Sequence, residues 1–316
     1  MEVALSGRCV GVDVSKRHWD AAVDGGGVRR FTADAAGAAE LLAWLAPIEP
    51  SLVCLEATGG YERLLREALH RRAIPVSVVN PRQVRDFARA LGQLAKTDAI
   101  DARLIARFGA TFDPEPDDPP SPAQERLRSL RARRQQVVQS LIQEKNRLGT
   151  APDAETRDSI QQAVDFYNQQ LAGLDQRLAE LTAADPEFKR RMNLLTSVPG
   201  VGAVTAAGLL AELPELGSLN RGQAAKLVGL APINRDSGTL RGKRMIGGGR
   251  AQVRRSLYMA TIVATKHNQL IRSYYQQLLA RGKAKMTALV ACMRKLLLVL
   301  NAMIKNQTPW KDAENY

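Results

Sequence analysis

Short apolar runs separated by polar turns occupy the first third of the chain. Five runs have the length and composition of strands, namely CVGVDV at 9–14, WDAAV at 19–23, VRRF at 28–31, LVCLEA at 52–57 and PVSVVN at 75–80. Helical spacing predicts helices over 35–46, from about Tyr61, after Pro81 and over 96–108. Because Asp24 to Gly27 form a turn between the second and third runs, we expect a hairpin there. A hairpin followed by alternating strands and helices predicts an α/β domain with a mixed sheet.

A proline-rich segment, 113–122, then marks a boundary, and long helices follow it. Ser121 is a candidate N-cap, with Pro122 in the first helical position and Gln124 completing a capping box. A heptad seam comprises Ile160, Val164, Tyr167, Leu171, Leu174, Leu178 and Leu181. We expect a helical hairpin that bends near 149–156, with the seam serving as a coiled-coil dimer contact. The alternative is a helix pair within one chain.

The last part of the chain is helical with glycine-rich breaks. The segment TSVPGVGAVTAAGLLAEL at 196–213 has the pattern of a helix-hairpin-helix motif, and the backbone N–H groups of Gly200 and Gly202 are candidates for binding a phosphate. An ordinary turn between two apolar helices is the alternative. These patterns divide the chain into an acidic catalytic domain at 1–114, a helical coiled-coil region at 115–186 and a mainly α domain at 187–316.

The charge of the chain is concentrated at its C-terminal end. The net charge is +13, and residues 187–316 alone carry 21 Lys and Arg against six Asp and Glu. Such a field favours a polyanion, and nucleic acid is the usual one. Cys9, Cys54 and Cys292 lie in apolar runs without a CxxC motif, which indicates reduced core cysteines in a cytoplasmic, nucleoid-associated protein. The scattered histidines do not support a zinc site, and we expect no membrane span.

Four carboxylates are the candidate metal ligands. Asp13 and Glu56 lie at the ends of two predicted strands, and Asp98 and Asp101 are three residues apart on one predicted helix, so they share a face. If the two strands are neighbours, Asp13 and Glu56 meet at one edge of the sheet, and a cluster of all four carboxylates would need Mg²⁺ (or Mn²⁺) to offset the repulsion. Two ions would polarise a phosphodiester. The alternative is four separate surface or capping carboxylates. A sugar-kinase-like phosphate loop is disfavoured because no glycine follows Asp13 closely.

Ser237 is a candidate nucleophile in a strongly cationic segment. It precedes Gly238, and the candidate nucleic-acid-binding side chains around it are Arg241, Lys243, Arg244, Arg250, Arg254 and Arg255. Guanidinium groups stabilise the charge that develops at phosphorus and also grip a phosphate backbone. Taken alone, a Ser-Gly pair is more often an ordinary turn.

Seven motifs in a fixed order carry a family resemblance. They are GVDVSK at 11–16, CLEATGGYE at 54–62, VVNPRQVRDFA at 78–88, KTDAIDARLIA at 96–106, SVPGVG at 197–202, LVGLAPINRDSGTLRGKRMI at 227–246 and RRSLYMATIVA at 254–264. The chain resembles the insertion-sequence transposases guided by a bridge RNA, in which a RuvC-like domain precedes a serine-bearing domain. DNA invertases of the Piv type are relatives.

The resemblance implies a fold, a site and partners. It implies an RNase H-like (RuvC-like) N-terminal domain in which Asp13, Glu56, Asp98 and Asp101 bind the metal, and a Ser237 that becomes covalently joined to DNA. It further implies a noncoding guide RNA and dimers that pair into a tetramer, with the acidic domain of one protomer completing the serine site of another.

The sequence therefore predicts an RNA-guided DNA recombinase, a transposase that acts on donor and target DNA through a phosphoserine intermediate. The first alternative is a RuvC-like junction nuclease that hydrolyses DNA with two metal ions and without a covalent step. The second is a non-enzymatic nucleic-acid-binding protein.

Overall fold

A computed structural model describes residues 8–93, 98–234, 236–237, 240–242 and 244–311, with the backbone alone at 98, 99, 240 and 241. The chain forms two compact units, Met1–Pro120 and Ser121–Tyr316. We describe each unit by itself. The two helices of the predicted middle region, Pro122–Leu148 and Ala154–Ala184, share a core with the C-terminal helices. The predicted middle and last regions therefore form one compact unit.

Unit 1 is built on a five-stranded mixed sheet. Its elements are β1 (Cys9–Val14), β2 (His18–Val23), β3 (Val28–Thr32), α1 (Ala35–Leu45), β4 (Leu52–Glu56), α2 (Arg63–Arg71), β5 (Val76–Val79), α3 (Pro81–Ala90) and α4 (Asp98–Phe112). The strand order is β3-β2-β1-β4-β5, with β1, β2 and β3 antiparallel and β1, β4 and β5 parallel. The predicted hairpin and the predicted α/β mixed sheet are both confirmed.

The two faces of this sheet bury different helices. Alternate residues of β1, such as Val10 and Val12, pack with α1 and α2, while Cys9 on the other face packs with α3 and α4. Helix α4 lies unusually close to the sheet. A Cβ on Gly11 would lie 2.1 Å from the backbone nitrogen of Ala106, and one on Gly109 would lie 2.3 Å from Sγ of Cys9. Glycines at these two positions therefore set the approach of α4 to β1.

Unit 2 is mainly helical. Its helices are α5 (Pro122–Leu148), α6 (Ala154–Ala184), α7 (Pro186–Thr196), α8 (Ala203–Glu212), α9 (Arg221–Val228), α10 (Ala251–His267), α11 (Gln269–Ala280) and α12 (Lys285–Asn306). Between α9 and α10 lie four short strands, β6 (Pro232–Ile233), β7 (Asp236–Ser237), β8 (Leu240–Arg241) and β9 (Met245–Ile246). Helix α12 is long and apolar enough to cross a membrane by length and composition alone, yet Cys292, Leu296 and Leu300 are fully buried in the core of unit 2.

The helical hairpin bends where the sequence predicts, between Leu148 and Ala154. Helices α5 and α6 pack against each other, and Val164, Leu174 and Leu178 of the seam are buried within the chain. Arg134, which interrupts the heptad pattern on α5, donates hydrogen bonds to both carboxylate oxygens of Asp175 on α6. The seam thus forms an intramolecular helix pair, which was the alternative to a dimer contact.

The start of α5 departs from the expected capping box. Ser121 does accept a hydrogen bond from the backbone N–H of Gln124, so the predicted N-cap is confirmed. The side chain of Gln124 does not reach back to Ser121, so the capping-box prediction is wrong. The side-chain amide of Gln124 donates instead to the carbonyls of Leu210 and Ala211. These carbonyls are available because the last turn of α8 has carbonyls without intrahelical partners.

Candidate functional site

Sheet register places two of the four predicted carboxylates side by side. Val12 on β1 pairs with Leu55 on the parallel strand β4, so Asp13 and Glu56 follow at the same level. Side chains two residues apart on a strand share a face of the sheet. Asp13 therefore lies on the face of Gly11, and Glu56 on the face of Cys54, which is the face that packs against α4. Asp13 and Glu56 are both half-buried.

Helix α4 carries the other two predicted carboxylates, and its backbone packs against the strand that ends beside Asp13. It runs antiparallel to β1, with Gly109 over Cys9 and the backbone of Ala102–Ala106 over Gly11. One turn further toward its start, Asp98 and Asp101 reach the level of Asp13. Glu56 and Asp101 line one cavity of about 430 Å³. The side chain of Asp98 lies outside the described residues, and among the described side chains no three His, Cys, Asp or Glu form a ready metal site.

The same cavity has a cationic wall. Arg82, Arg85 and Arg89 on α3 line it together with Glu56 and Asp101. Arg82 and Arg89 both pair with Asp86 at the surface, at 4.0 and 3.4 Å. Carboxylate oxygens facing guanidinium groups across a cavity suit a phosphodiester with bound divalent cation.

Two carboxylates near this site were missed by sequence reasoning. Asp20 stands opposite Asp13 in the β1–β2 register, but it is buried and holds Arg30 at 2.9 and 2.8 Å, so its charge is already paired. Glu62 accepts hydrogen bonds from Thr58 and from the backbone of Gly60. Burial raises the pKa of Glu62, but hydrogen bonds from its own backbone, from Gly60 and from Thr58 together hold it below its ordinary value. Glu62 thereby orders the loop that follows Glu56. The motif CLEATGGYE, which ends at Glu62, is the sequence feature that could have indicated this role.

Ser237 lies near the tip of an exposed β-ribbon. Strand β6 pairs with β9 at the base, and β7 pairs with β8 further out, with Ser237 opposite Leu240. Asp236 accepts a hydrogen bond from the backbone N–H of Gly242 at 3.1 Å, which holds the ribbon beside the serine. The side chain of Ser237 is therefore presented to solvent at the end of a strand. Gly238 and Lys243, and the side chain of Arg241, lie outside the described residues.

The predicted basic residues serve different roles. Arg250 makes two 2.6 Å hydrogen bonds to Glu215, and Arg254 donates to the carbonyls of Val228 and Gly248. Burial raises the pKa of Glu215, but the hydrogen bond from Arg250, a backbone hydrogen bond and the charges of Arg250 and Arg128 together hold it below its ordinary value. These two arginines hold the base of the ribbon. Arg244 and Arg255 are exposed, so both are available to a phosphate backbone.

The predicted helix-hairpin-helix segment joins α7 to α8. Gly200 has a φ of +102°, and a Cβ there would lie 2.8 Å from the Cα of Ala264 on α10. A packing reason thus explains this glycine. Gly202 is the exposed N-cap of α8 and has no such contact, so its N–H group is the better placed of the two to meet a phosphate.

Comparison with known proteins covers both units. A family model described as transposase matches residues 10–151, and one described as transposase IS116/IS110/IS902 family matches residues 192–276. The pilin gene-inverting proteins of Moraxella bovis and Moraxella lacunata are each 30% identical over 97% of this chain and 98% of their own length. The insertion element IS110 uncharacterized 43.6 kDa protein of Streptomyces coelicolor is 31% identical over 48% of this chain and 36% of its own.

These matches agree with the order and chemistry of the two units. The N-terminal mixed sheet with its carboxylate edge is RNase H-like, of the DEDD transposase type, and a mainly helical region follows it. The chain belongs to the IS116/IS110/IS902 family of transposases and is related to the pilin gene-inverting proteins.

Proposed function

We propose that this transposase cuts and rejoins DNA through Ser237, which forms a covalent phosphoserine link. The exposed position of the serine at the end of β7 carries the proposal. In the forward step the serine Oγ bonds to phosphorus, its proton passes to a base, and the bond from phosphorus to a deoxyribose oxygen breaks. That oxygen takes up a proton. Rejoining reverses the step with another DNA hydroxyl, so the bond energy is kept and no ATP is required.

We propose that Asp13, Glu56, Asp98 and Asp101 hold Mg²⁺ or Mn²⁺. Their all-oxygen donor set is the one these ions prefer, and the register of β1 with β4 supports the placement of Asp13 beside Glu56. When bound, the ion supplies charge stabilisation at a phosphodiester. The arginines on the cavity wall, Arg82, Arg85 and Arg89, would orient the same phosphodiester.

The proposed partners of the chain are a guide RNA and further copies of the chain itself. We propose a noncoding guide RNA as partner, supported by the cationic C-terminal part of the chain and by the family resemblance. A dimer pairing into a tetramer, in which the acidic unit of one protomer serves the serine of another, follows from the same resemblance. The division at 1–114, 115–186 and 187–316 remains our proposal for the functional regions.

The test is the trapping of a protein–DNA adduct. Wild type, Ser237→Ala and the matched control Ser218→Ala, an exposed serine of the same unit, are incubated with Mg²⁺, co-purified RNA and labelled donor and target DNA. After denaturation we expect DNA to migrate with wild type and with Ser218→Ala, but not with Ser237→Ala. RNase treatment before the reaction should remove the adduct if RNA guides the protein.

Two outcomes would contradict the proposal. Cleavage by Ser237→Ala at the wild-type rate would favour the two-metal nuclease. Nucleic-acid binding without any cleavage by wild type, at all Mg²⁺ and Mn²⁺ concentrations, would favour a binding protein.

A further inference from the structure

A second cavity lies between three helices of unit 2, and Ser237 does not line it. Its walls come from α5, α8 and α10, and its volume is about 490 Å³. Three arginines, Arg131, Arg134 and Arg255, and one carboxylate, Glu212, line it. The polar neutral side chains in its wall are Gln135, Gln136, Gln139, Thr205, Gln252 and Ser256. We call it the α5/α8/α10 cavity.

Arg131 is the residue that distinguishes this cavity. Arg134 and Arg250, two other half-buried arginines of unit 2, have carboxylate acceptors in Asp175 and Glu215. The Nε of Arg131 is buried and has no hydrogen-bond partner among the described residues. Burial lowers the pKa of Arg131, the neighbouring Arg134 lowers it further, and Glu212 and Asp175 oppose the shift. A buried guanidinium N–H group without an acceptor is costly to the fold.

The backbone of α8 makes room for this arginine. Gly208 is buried in the middle of α8, and a Cβ there would lie 2.6 Å from a terminal nitrogen of Arg131. Glycine inside a helix costs about 1 kcal/mol relative to alanine. Gly208 and Arg131 each lower the stability of the fold at this place. Such a pair is better explained by the binding of a ligand than by a contribution to folding stability.

The remaining wall residues fit a phosphate group. Arg134 is neutralised by Asp175, which leaves Arg131 and Arg255 against Glu212 and thus a net positive cavity. Amides and hydroxyls on all three walls can donate to several oxygens of one anion. Arg255 is exposed at the opening, where an entering strand would meet it.

We propose that the α5/α8/α10 cavity binds a backbone phosphate of a nucleic-acid strand, held by Arg131 inside and Arg255 at the opening. The inference rests on the proposed function only in taking nucleic acid as the ligand, and it concerns binding rather than cleavage. The strand is either RNA or DNA, since both present the same phosphodiester.

The experiment compares Arg131→Met with Arg133→Met in the full chain. Arg133 is exposed two residues along α5, so the control makes the same change of charge outside the cavity. Binding of labelled single-stranded RNA and of labelled duplex DNA is measured across a salt series. We expect Arg131→Met to weaken binding of one probe about tenfold, the effect of one hydrogen bond to a charged group. The slope of the logarithm of the binding constant against the logarithm of the salt concentration should become shallower by about 0.7 for single-stranded RNA or about 0.9 for duplex DNA. The probe that shows the change identifies the strand that the cavity binds.

Thermal unfolding without nucleic acid separates this role from a structural one. If Arg131 serves a ligand, its replacement should leave the unfolding midpoint unchanged or higher, because a desolvated charge is removed. A lower midpoint with unchanged affinity for both probes would overturn the proposal. If Arg131→Met does not fold, Arg255→Gln and Gly208→Ala test the same cavity, and wild-type affinity in both would also overturn it.

Failure here is distinguishable from failure of the proposed function. If Arg131→Met binds nucleic acid more weakly but the complex that remains still forms the adduct, the result would support phosphate binding in the cavity. It would not bear on the proposed role of Ser237. Normal binding by Arg131→Met and Arg255→Gln, with an adduct at Ser237, would reject the cavity alone.

Discussion

At the scale of single residues, the carboxylate edge depends on a glycine that carries no chemistry. Gly11 lies on the strand that ends at Asp13, and a Cβ on it would come within 2.4 Å of the carbonyl oxygen of Ala102 as well as 2.1 Å of Ala106. Both contacts are with helix backbone, which cannot move aside as a side chain can. The absence of one methyl group therefore decides how near Asp101 comes to Asp13.

Gly11→Ala should consequently destabilise unit 1 and weaken the metal site together. We expect a loss of about 2–3 kcal/mol in the free energy of unfolding, the usual cost of overpacking a core. Gly27→Ala is the matched control, because nothing lies within 4 Å of its added Cβ, and its effect should stay within about 0.5 kcal/mol. Urea unfolding of both variants measures the difference. Equal effects would mean that α4 adjusts freely to the sheet.

At the scale of secondary-structure elements, the pairing of α5 with α6 uses a seam that resembles a coiled-coil dimer contact. The buried seam residues face the same chain, and the Arg134–Asp175 pair crosses between the helices. Leu127 of α5 and Leu178 of α6 also enter the core of the C-terminal helices. A change in the seam should therefore act first on folding and only indirectly on assembly.

Leu174→Asp provides the corresponding test. It buries a charge in an apolar seam, and we expect a loss of about 3 kcal/mol or more in the free energy of unfolding. Ala172→Asp places the same charge on the exposed face of α6 and should be nearly neutral. Light scattering should give both variants the mass of wild type. A stable Leu174→Asp protein with half the wild-type mass would instead assign the seam to a dimer.

At the scale of the whole molecule, the two units divide the chemistry between them. Unit 1 carries the four candidate carboxylates, whereas the excess of Lys and Arg lies near the C-terminal end of unit 2. A ligand that binds one unit stabilises that unit. Divalent metal and nucleic acid should therefore protect different parts of the chain.

Hydrogen exchange resolved by peptide can test this division. In wild type, Mg²⁺ should slow exchange in β1, β4 and α4, and nucleic acid should slow it in α5, α8 and α10. Glu56→Gln should lose the Mg²⁺ effect while keeping the effect of nucleic acid, because the changed carboxylate is outside unit 2. Protection of β1 and β4 by Mg²⁺ in Glu56→Gln at the wild-type level would exclude Glu56 as a ligand.

Local patterns in the sequence determined most of the architecture. Apolar alternation, the Asp24–Gly27 turn and the spacing of the helices predict the elements of unit 1 and its mixed sheet, since strand and helix periods are properties of neighbouring residues. The bend of the helical hairpin and the Ser121 cap are predicted for the same reason. The seven ordered motifs predicted a transposase through their resemblance to a known family. The comparisons with known proteins confirm that family.

Contacts between distant residues were decided by the tertiary structure alone. An apolar seam has the same period whether it meets a second chain or α5, so only packing could choose between them. Gln124 reached the end of α8, 86 residues away, instead of its own cap. The ion pair of Arg250 with Glu215 and the half-buried Arg131 beside Gly208 likewise join residues far apart in the chain. Periodicity identifies which side of an element is buried, but the identity of its partner depends on the fold as a whole.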